Sequence, residues 1–151
     1  KTVCRVYREA VDKYFEDEFT RENLDRWNRE LATVYNRGFW DGYYLGQKMG
    51  EWTEQYGSVA TKRKEYVGKV TNYFAKIGVA EIKMETKELA VGDEIQITGP
   101  TTGVYEDVVP EIRVDEQNVE KTVKGDVCSI PVKNVVRRMD KVFRVFDAEE
   151  V

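Results

Sequence analysis

Between Lys1 and Tyr35 the apolar positions recur three and four residues apart. Val3, Val6, Tyr7, Ala10, Val11, Tyr14 and Phe15 make one stripe, with Arg5, Arg8, Asp12 and Glu16 between them, which is the spacing of an amphipathic helix. Thr20 stands where an N-cap is needed and Glu22 suits the positive end of the helix dipole. Leu24, Trp27, Leu31, Val34 and Tyr35 then form the stripe of a second helix, which Gly38 is placed to end. Two helices joined near residues 17–20 cannot enclose two such stripes by themselves. One stripe must lie against the rest of the chain or against a domain outside it.

From about Glu65 the period changes from helical to alternating. Residues 65–74, 77–84, 94–98, 104–114, 125–132 and 140–146 are rich in Val, Ile, Tyr and Phe, and turn signals such as LAVGDE, TGPTTG and VKGDV separate them. No helical stretch intervenes to make the crossovers that parallel strands need, so the pairing is expected to be mostly antiparallel. Closing the sheet removes its edges, and a small β-barrel of about six strands is therefore the expected form. The fold class is α+β: a helical segment over 1–36, a glycine/aromatic connector over 37–61, the barrel over 62–147 and an acidic tail over 148–151.

The connector is the least ordinary stretch. In NRGFWDGYYLGQKMG, residues 36–50, glycine stands at every fourth position: Gly38, Gly42, Gly46 and Gly50. As a helix this run would lose roughly 1 kcal/mol per glycine relative to alanine, about 4 kcal/mol in all. As a membrane dimer face it is too short and is interrupted by Arg37, Asp41 and Lys48. In an extended conformation the four glycines project to one side with Trp40, Tyr44 and Lys48, while Phe39, Tyr43, Leu45 and Met49 point the other way. Such a ribbon lets a backbone or ligand approach one side, with Arg37 as an anion or carbonyl contact; a plain connector packed on a neighbouring domain is the blander reading.

Composition narrows the chemistry. At 151 residues and 41% hydrophobic the chain can bury one core or a core with an appendage. It holds no histidine, which excludes within this chain every mechanism that uses imidazole as base, proton shuttle or metal ligand. The only serines are Ser58 and Ser129, and the two cysteines, Cys4 and Cys128, show no CxxC spacing. Cys4 falls on the apolar side of the first helix and Cys128 inside a strand, so both are expected to be buried free thiols. No phosphate-binding glycine loop is present. The reading is therefore no catalytic residue, no metal and no cofactor. No run of about 20 apolar residues is found, so a membrane is not expected as a partner and a cytoplasmic location is. Because the chain opens at Lys1 inside a helical pattern, it reads as a piece of a longer polypeptide.

Charge bears on partners. Over 62–147, 15 basic residues meet 15 acidic ones, and the whole chain carries a net charge of -4. Bulk electrostatics do not advertise a nucleic-acid binder. Two local basic clusters remain, Lys62-Arg63-Lys64 at the start of the barrel and Arg137, Arg138, Lys141 and Arg144 near its end; a phosphate-binding patch requires them to converge in space.

VCRVYREAVDKY, NRGFWDGYYLG, YVGKVTNY and VGDEIQITGP, in that order and spacing, resemble the C-terminal region of the collagenase-like peptidases, peptidase family U32. NRGF-x-x-G-x-x-x-G is the most specific part. The barrel portion is also similar, over a shorter stretch, to the second domain of elongation factor Tu. The resemblance implies an upstream α/β domain of the same polypeptide that holds the active site, with this region as an accessory module for a polypeptide substrate. Some members of the family are described as proteases acting on collagen-like or other polypeptides. Others hydroxylate tRNA or ribosomal RNA, or serve ubiquinone synthesis with iron-sulfur clusters held by upstream cysteines. No catalytic residue carries over. Asn36, Arg37, Gly38, Phe39, Gly42 and Gly46 match the motif and, with Trp40 and Tyr44, are the candidate substrate or partner contacts. For an RNA-positioning module, Lys62, Arg63, Lys64, Arg137 and Arg138 are the candidates.

Overall fold

The computed structural model describes residues 1–39 and 59–148. The chain divides into two compact units, Lys1–Lys62 with Asp147–Val151, and Arg63–Phe146.

In the first unit, helices α1 (Thr2–Phe15) and α2 (Arg21–Ala32) form a hairpin. Thr20 caps α2 as its position predicts, its hydroxyl accepting from the Asn23 N–H at 3.3 Å. Val6 and Trp27 are the buried hydrophobic residues of this hairpin, and Phe19 packs on Trp27 with ring centroids 5.4 Å apart. Across the seam Arg5 pairs with Glu30 and Arg26 with Glu9, and Arg26 also meets Glu30 at 3.0 Å. The first stripe is thus largely uncovered: Val3, Tyr7, Val11, Tyr14 and Phe15 are exposed. Cys4 is exposed too, because α1 turns its Val6 side, not its Cys4 side, toward α2. The second helix stops at Ala32, well before Gly38. Thr33 caps it, with its hydroxyl donating to the Glu30 carbonyl at 2.7 Å, so Val34 and Tyr35 lie beyond the helix.

The second unit is an antiparallel sheet of eight strands: β1 (Lys62–Phe74), β2 (Val79–Met84), β3 (Glu94–Gly99), β4 (Gly103–Val108), β5 (Ile112–Val114), β6 (Gln117–Val119), β7 (Val127–Pro131) and β8 (Lys141–Asp147). Their order is β4-β3-β8-β1-β2-β7-β5-β6. The α+β class holds, but the sheet has eight strands rather than six and is not closed. One extra strand comes from the 104–114 run, which splits into β4 and β5, and the other, β6, lies beyond it in a stretch where no strand was expected. Pro110 has no N–H to donate and ends the ladder, and Asp115 and Glu116, both at positive φ, reverse the chain into β6.

Curvature still gives the sheet one core. Val67, Val70, Ile82, Ile95, Ile97, Tyr105, Ile112, Ile130 and Val142, drawn from strands across the whole order, lie in a single buried cluster. The segment Leu89–Asp93 lies between the two ends. Its Val91 N–H donates to the Glu120 carbonyl at 2.9 Å, its Leu89 carbonyl accepts from the Thr122 N–H at 2.9 Å, and its Asp93 carbonyl accepts from the Val109 N–H at 3.0 Å. Thr122 is fully buried, and its hydroxyl accepts from the Leu89 N–H at 3.0 Å. Backbone groups that an open sheet would leave bare near β4 and β6 are satisfied in this way.

Candidate functional site

Four of the eight candidate contact residues, Asn36, Arg37, Gly38 and Phe39, lie among the described residues. Trp40, Gly42, Tyr44 and Gly46 lie outside them, as does most of the glycine ribbon.

Asn36 is a structural clamp. Its Nδ2 donates to the carbonyls of Val34 at 2.8 Å and Ala32 at 3.3 Å, and its Oδ1 accepts from the Gly38 N–H at 3.0 Å. This is an Asx turn that takes up carbonyls left bare at the end of α2. The returning chain is fastened at the same place. Val59 N–H donates to the Asn36 carbonyl at 2.9 Å and Thr61 N–H to the Ala32 carbonyl at 3.0 Å. Gly38 has φ of 92°, a left-handed conformation that a side chain resists, while a Cβ there would meet nothing within 4 Å. Gly38 therefore serves the turn, and its positive φ gives a reason within the chain for glycine at this place in the motif. What the turn presents outward is Tyr35, Arg37 and Phe39, all exposed, with the Arg37 Nε donating to the Tyr35 hydroxyl at 3.3 Å.

Arg137 and Arg138 of the second basic cluster stand apart from the first, while its Arg144 lies within β8 next to Phe143, the ring that Lys64 covers. At one end of the β1–β8 ladder Ala148 N–H donates to the Thr61 carbonyl, and at the other Met139 N–H donates to the Val70 carbonyl. Lys62, Arg63 and Lys64 belong to the first end and Arg137 and Arg138 to the second. Lys64 sits over the Phe143 ring, 4.8 Å from its centroid, and donates to the Gln96 Oε1 at 3.2 Å. Tyr66 meets the same ring edge-on at 5.7 Å. Arg137 reaches the Thr102 hydroxyl at 3.5 Å.

Two polar knots in the sheet unit were not singled out from the sequence. Asp140 is buried, and its Oδ2 accepts from the Thr102 hydroxyl at 2.5 Å and from the Arg137 N–H at 2.8 Å, tying the β3–β4 turn to the turn before β8. A Cβ at Gly99 would collide with the same carboxylate. In the second knot the Tyr105 hydroxyl donates to Asp107 at 2.6 Å, and Lys133 pairs with Asp107 at 2.8 Å. The Lys133 ammonium, then the Tyr105 hydroxyl, hold the Asp107 carboxyl down at about 2, while burial and then Asp107 push the Tyr105 hydroxyl up to about 12. Only the TGP turn signal beside Gly99 hinted at either knot, since each joins a local pair to a residue far off in sequence, Thr102 to Asp140 and Lys133 to Asp107.

The buried thiol is poorly placed as a nucleophile. Burial pushes the Cys128 thiol up to about 12, with the Asp126 carboxylate adding to it, so the thiolate is strongly disfavoured. Among the described residues no group of three or more Cys, Asp or Glu is arranged to hold a metal ion. Nor is any helix there long and apolar enough to cross a membrane.

Comparison with known proteins bears out the family resemblance. Residues 1–54 match the model of peptidase family U32. A protein named Collagenase from Porphyromonas gingivalis is 56% identical over 149 residues, which is 99% of this chain and 41% of the relative. An uncharacterized protease of Methanocaldococcus jannaschii is 33% identical over 142 residues, 92% of this chain and 34% of that protein. The chain thus spans less than half the length of either relative. The fold is similar to the crystal structure of the C-terminal domain of a Geobacillus thermoleovorans protein assigned to the U32 peptidases, with a TM-score of 0.50 and 18% identity, covering 53% of this chain and 91% of that one.

Proposed function

We propose that this chain is an accessory module of a peptidase of family U32, holding a polypeptide substrate for a catalytic site in another region of the longer protein. The observation that carries the reading is the 56% identity, sustained over 99% of the chain, to a protein named Collagenase of which the chain spans only 41%. The barren chemistry agrees with it, since the chain has no imidazole and the Cys128 thiol is buried and held protonated. The exposed Tyr35, Arg37 and Phe39 are the described part of the contact surface: Arg37 to meet peptide carbonyls or carboxylates, the rings to meet apolar side chains or proline. A cytoplasmic setting belongs to the same reading.

Isothermal titration of gelatin or a collagen-like peptide into the chain tests this. Saturable binding that weakens severalfold in Arg37→Ala and Phe39→Ala is expected, and an absence of binding sinks the reading. The alternative is an RNA-positioning module of a family member that modifies tRNA or ribosomal RNA. What favours it is the Lys64, Tyr66 and Phe143 cluster, a cation beside two rings on the sheet surface. Filter binding with tRNA over a salt series distinguishes the two, because phosphate contacts weaken steeply with salt and replacing Lys62, Arg63 and Lys64 by Ala would flatten that slope.

A further inference from the structure

Among the described residues of the helical unit, the widest exposed apolar surface is on α1. At 100° per residue, Val3, Tyr7, Val11, Tyr14 and Phe15 fall within an arc of about 120°. Their side chains are 45%, 63%, 46%, 66% and 80% exposed. Val6, which is buried, lies outside that arc. Water-facing helix surfaces of this width are normally polar, so the pattern calls for a cover. The charges beside it are already neutralised within the hairpin: Arg8 pairs with Asp12 at 2.6 Å, and Lys13 pairs with Glu16 at 2.9 Å and Glu18 at 2.6 Å. A face rich in tyrosine and phenylalanine with an internally balanced rim suits an apolar protein surface and has no excess of cations for an anionic membrane.

Three observations identify the cover. The family match over residues 1–54 takes in both helices and stops before β1. The Geobacillus domain is 91% matched while covering only 53% of this chain, so about half of the chain suffices for a domain. Only the sheet unit has a core of that kind, since the hairpin buries just Val6 and Trp27 among its hydrophobic residues. The helices therefore go with the part of the family sequence that this chain does not contain, and in the Porphyromonas relative that part is the larger share of the polypeptide.

We propose that the Val3, Tyr7, Val11, Tyr14 and Phe15 face of α1 docks within one polypeptide onto the portion of a U32 protein that lies outside this chain. The proposal rests on the accessory-module reading, but it concerns how the module is held and not what it binds.

Hydrogen–deuterium exchange on the full-length gene product and on the present chain tests it, alongside a Tyr7→Lys/Tyr14→Lys variant and a milder Phe15→Lys variant. Lysine keeps good helix propensity, so the helix itself is preserved. The α1 amides should exchange on the order of tenfold more slowly in the full-length protein than in the present chain. The double variant should abolish that difference and Phe15→Lys should reduce it, with the amides of β1, β2 and β7 unchanged throughout. Equal α1 exchange in the two wild-type proteins overturns the proposal, as does protection that survives the double variant. Protection of α1 in the present chain alone also overturns it, pointing to a second copy if concentration-dependent and to the chain's own residues 40–58 if not. Gelatin titration of the same proteins separates the two readings. Lost gelatin binding with α1 protection intact sinks the substrate reading alone, and unprotected α1 with gelatin binding intact sinks the docking alone.

Discussion

The helical unit and the sheet unit of this chain dispose of their apolar residues in opposite ways. The sheet gathers 16 buried hydrophobic residues into one cluster drawn from both ends of its strand order. The hairpin buries Val6 and Trp27 and leaves five large apolar side chains of α1 in water, with its seam held by Arg5, Glu9, Arg26 and Glu30. Exposed ion pairs of that kind stabilise by only about 0–1 kcal/mol each. The contrast teaches that the sheet is a self-sufficient fold and the hairpin an interface element, though both have clean amphipathic patterns.

The comparison breaks or sharpens most visibly at the two cysteines, one in each unit. Cys4 is exposed and Cys128 is buried in the sheet core, so thiol-labelling kinetics under native conditions should show one fast thiol and one slower by several orders of magnitude, released only by global unfolding. A second fast thiol would mean the sheet opens as easily as the hairpin. Next in size, Ile82→Ala should lower stability in urea denaturation by about 2–5 kcal/mol, since it empties a fully buried site in the central strand pair. Tyr7→Ala on the uncovered face should change the same midpoint by less than about 0.5 kcal/mol. Comparable losses from both would erase the distinction between the units.

Asp140→Ala leaves the Thr102 hydroxyl and the Arg137 N–H without their buried acceptor, and about 1–3 kcal/mol of stability should go with it. Asp140→Asn, which keeps one acceptor oxygen, should lose less. The smallest effect is a pH dependence. The Asp107 carboxyl has an ordinary value of 3.8 and lies at about 2 in the folded protein. Its contribution to stability is therefore present above the ordinary value and fades as pH falls toward the folded one. Stability measured between roughly pH 4 and 2 should decline less steeply in Asp107→Asn than in the parent chain. Parallel slopes would remove Asp107 from the account.

Local information was legible wherever its cause was local. The helical period of residues 2–15, the Thr20 cap, the alternation of β1 and β2 and the turn at Gly103 follow from neighbouring residues, and the structure has them in place. In the candidate site, Asn36 and Gly38 were legible as special without their task being evident, while Arg37 and Phe39 prove exposed. The Asx turn that Asn36 and Gly38 make is local, but the return of Val59 and Thr61 to the same place is a pairing across more than 20 positions with no sequence signal of its own. The Asp140 and Asp107 knots were hidden for the same reason, with Thr102 and Arg137, or Tyr105 and Lys133, brought together only by the sheet.

By itself the sequence determined the α+β class, the change of period between the units and the absence of imidazole chemistry, because each is written in residue identity and short-range spacing. Tertiary structure alone decided that the sheet stays unclosed, that Arg137 and Arg138 stand at the end of the β1–β8 ladder away from Lys62, Arg63 and Lys64, and that Cys4 faces water. Those outcomes depend on which distant surfaces meet. An amphipathic pattern states that a face can be buried, and only the packed chain states whether anything buries it.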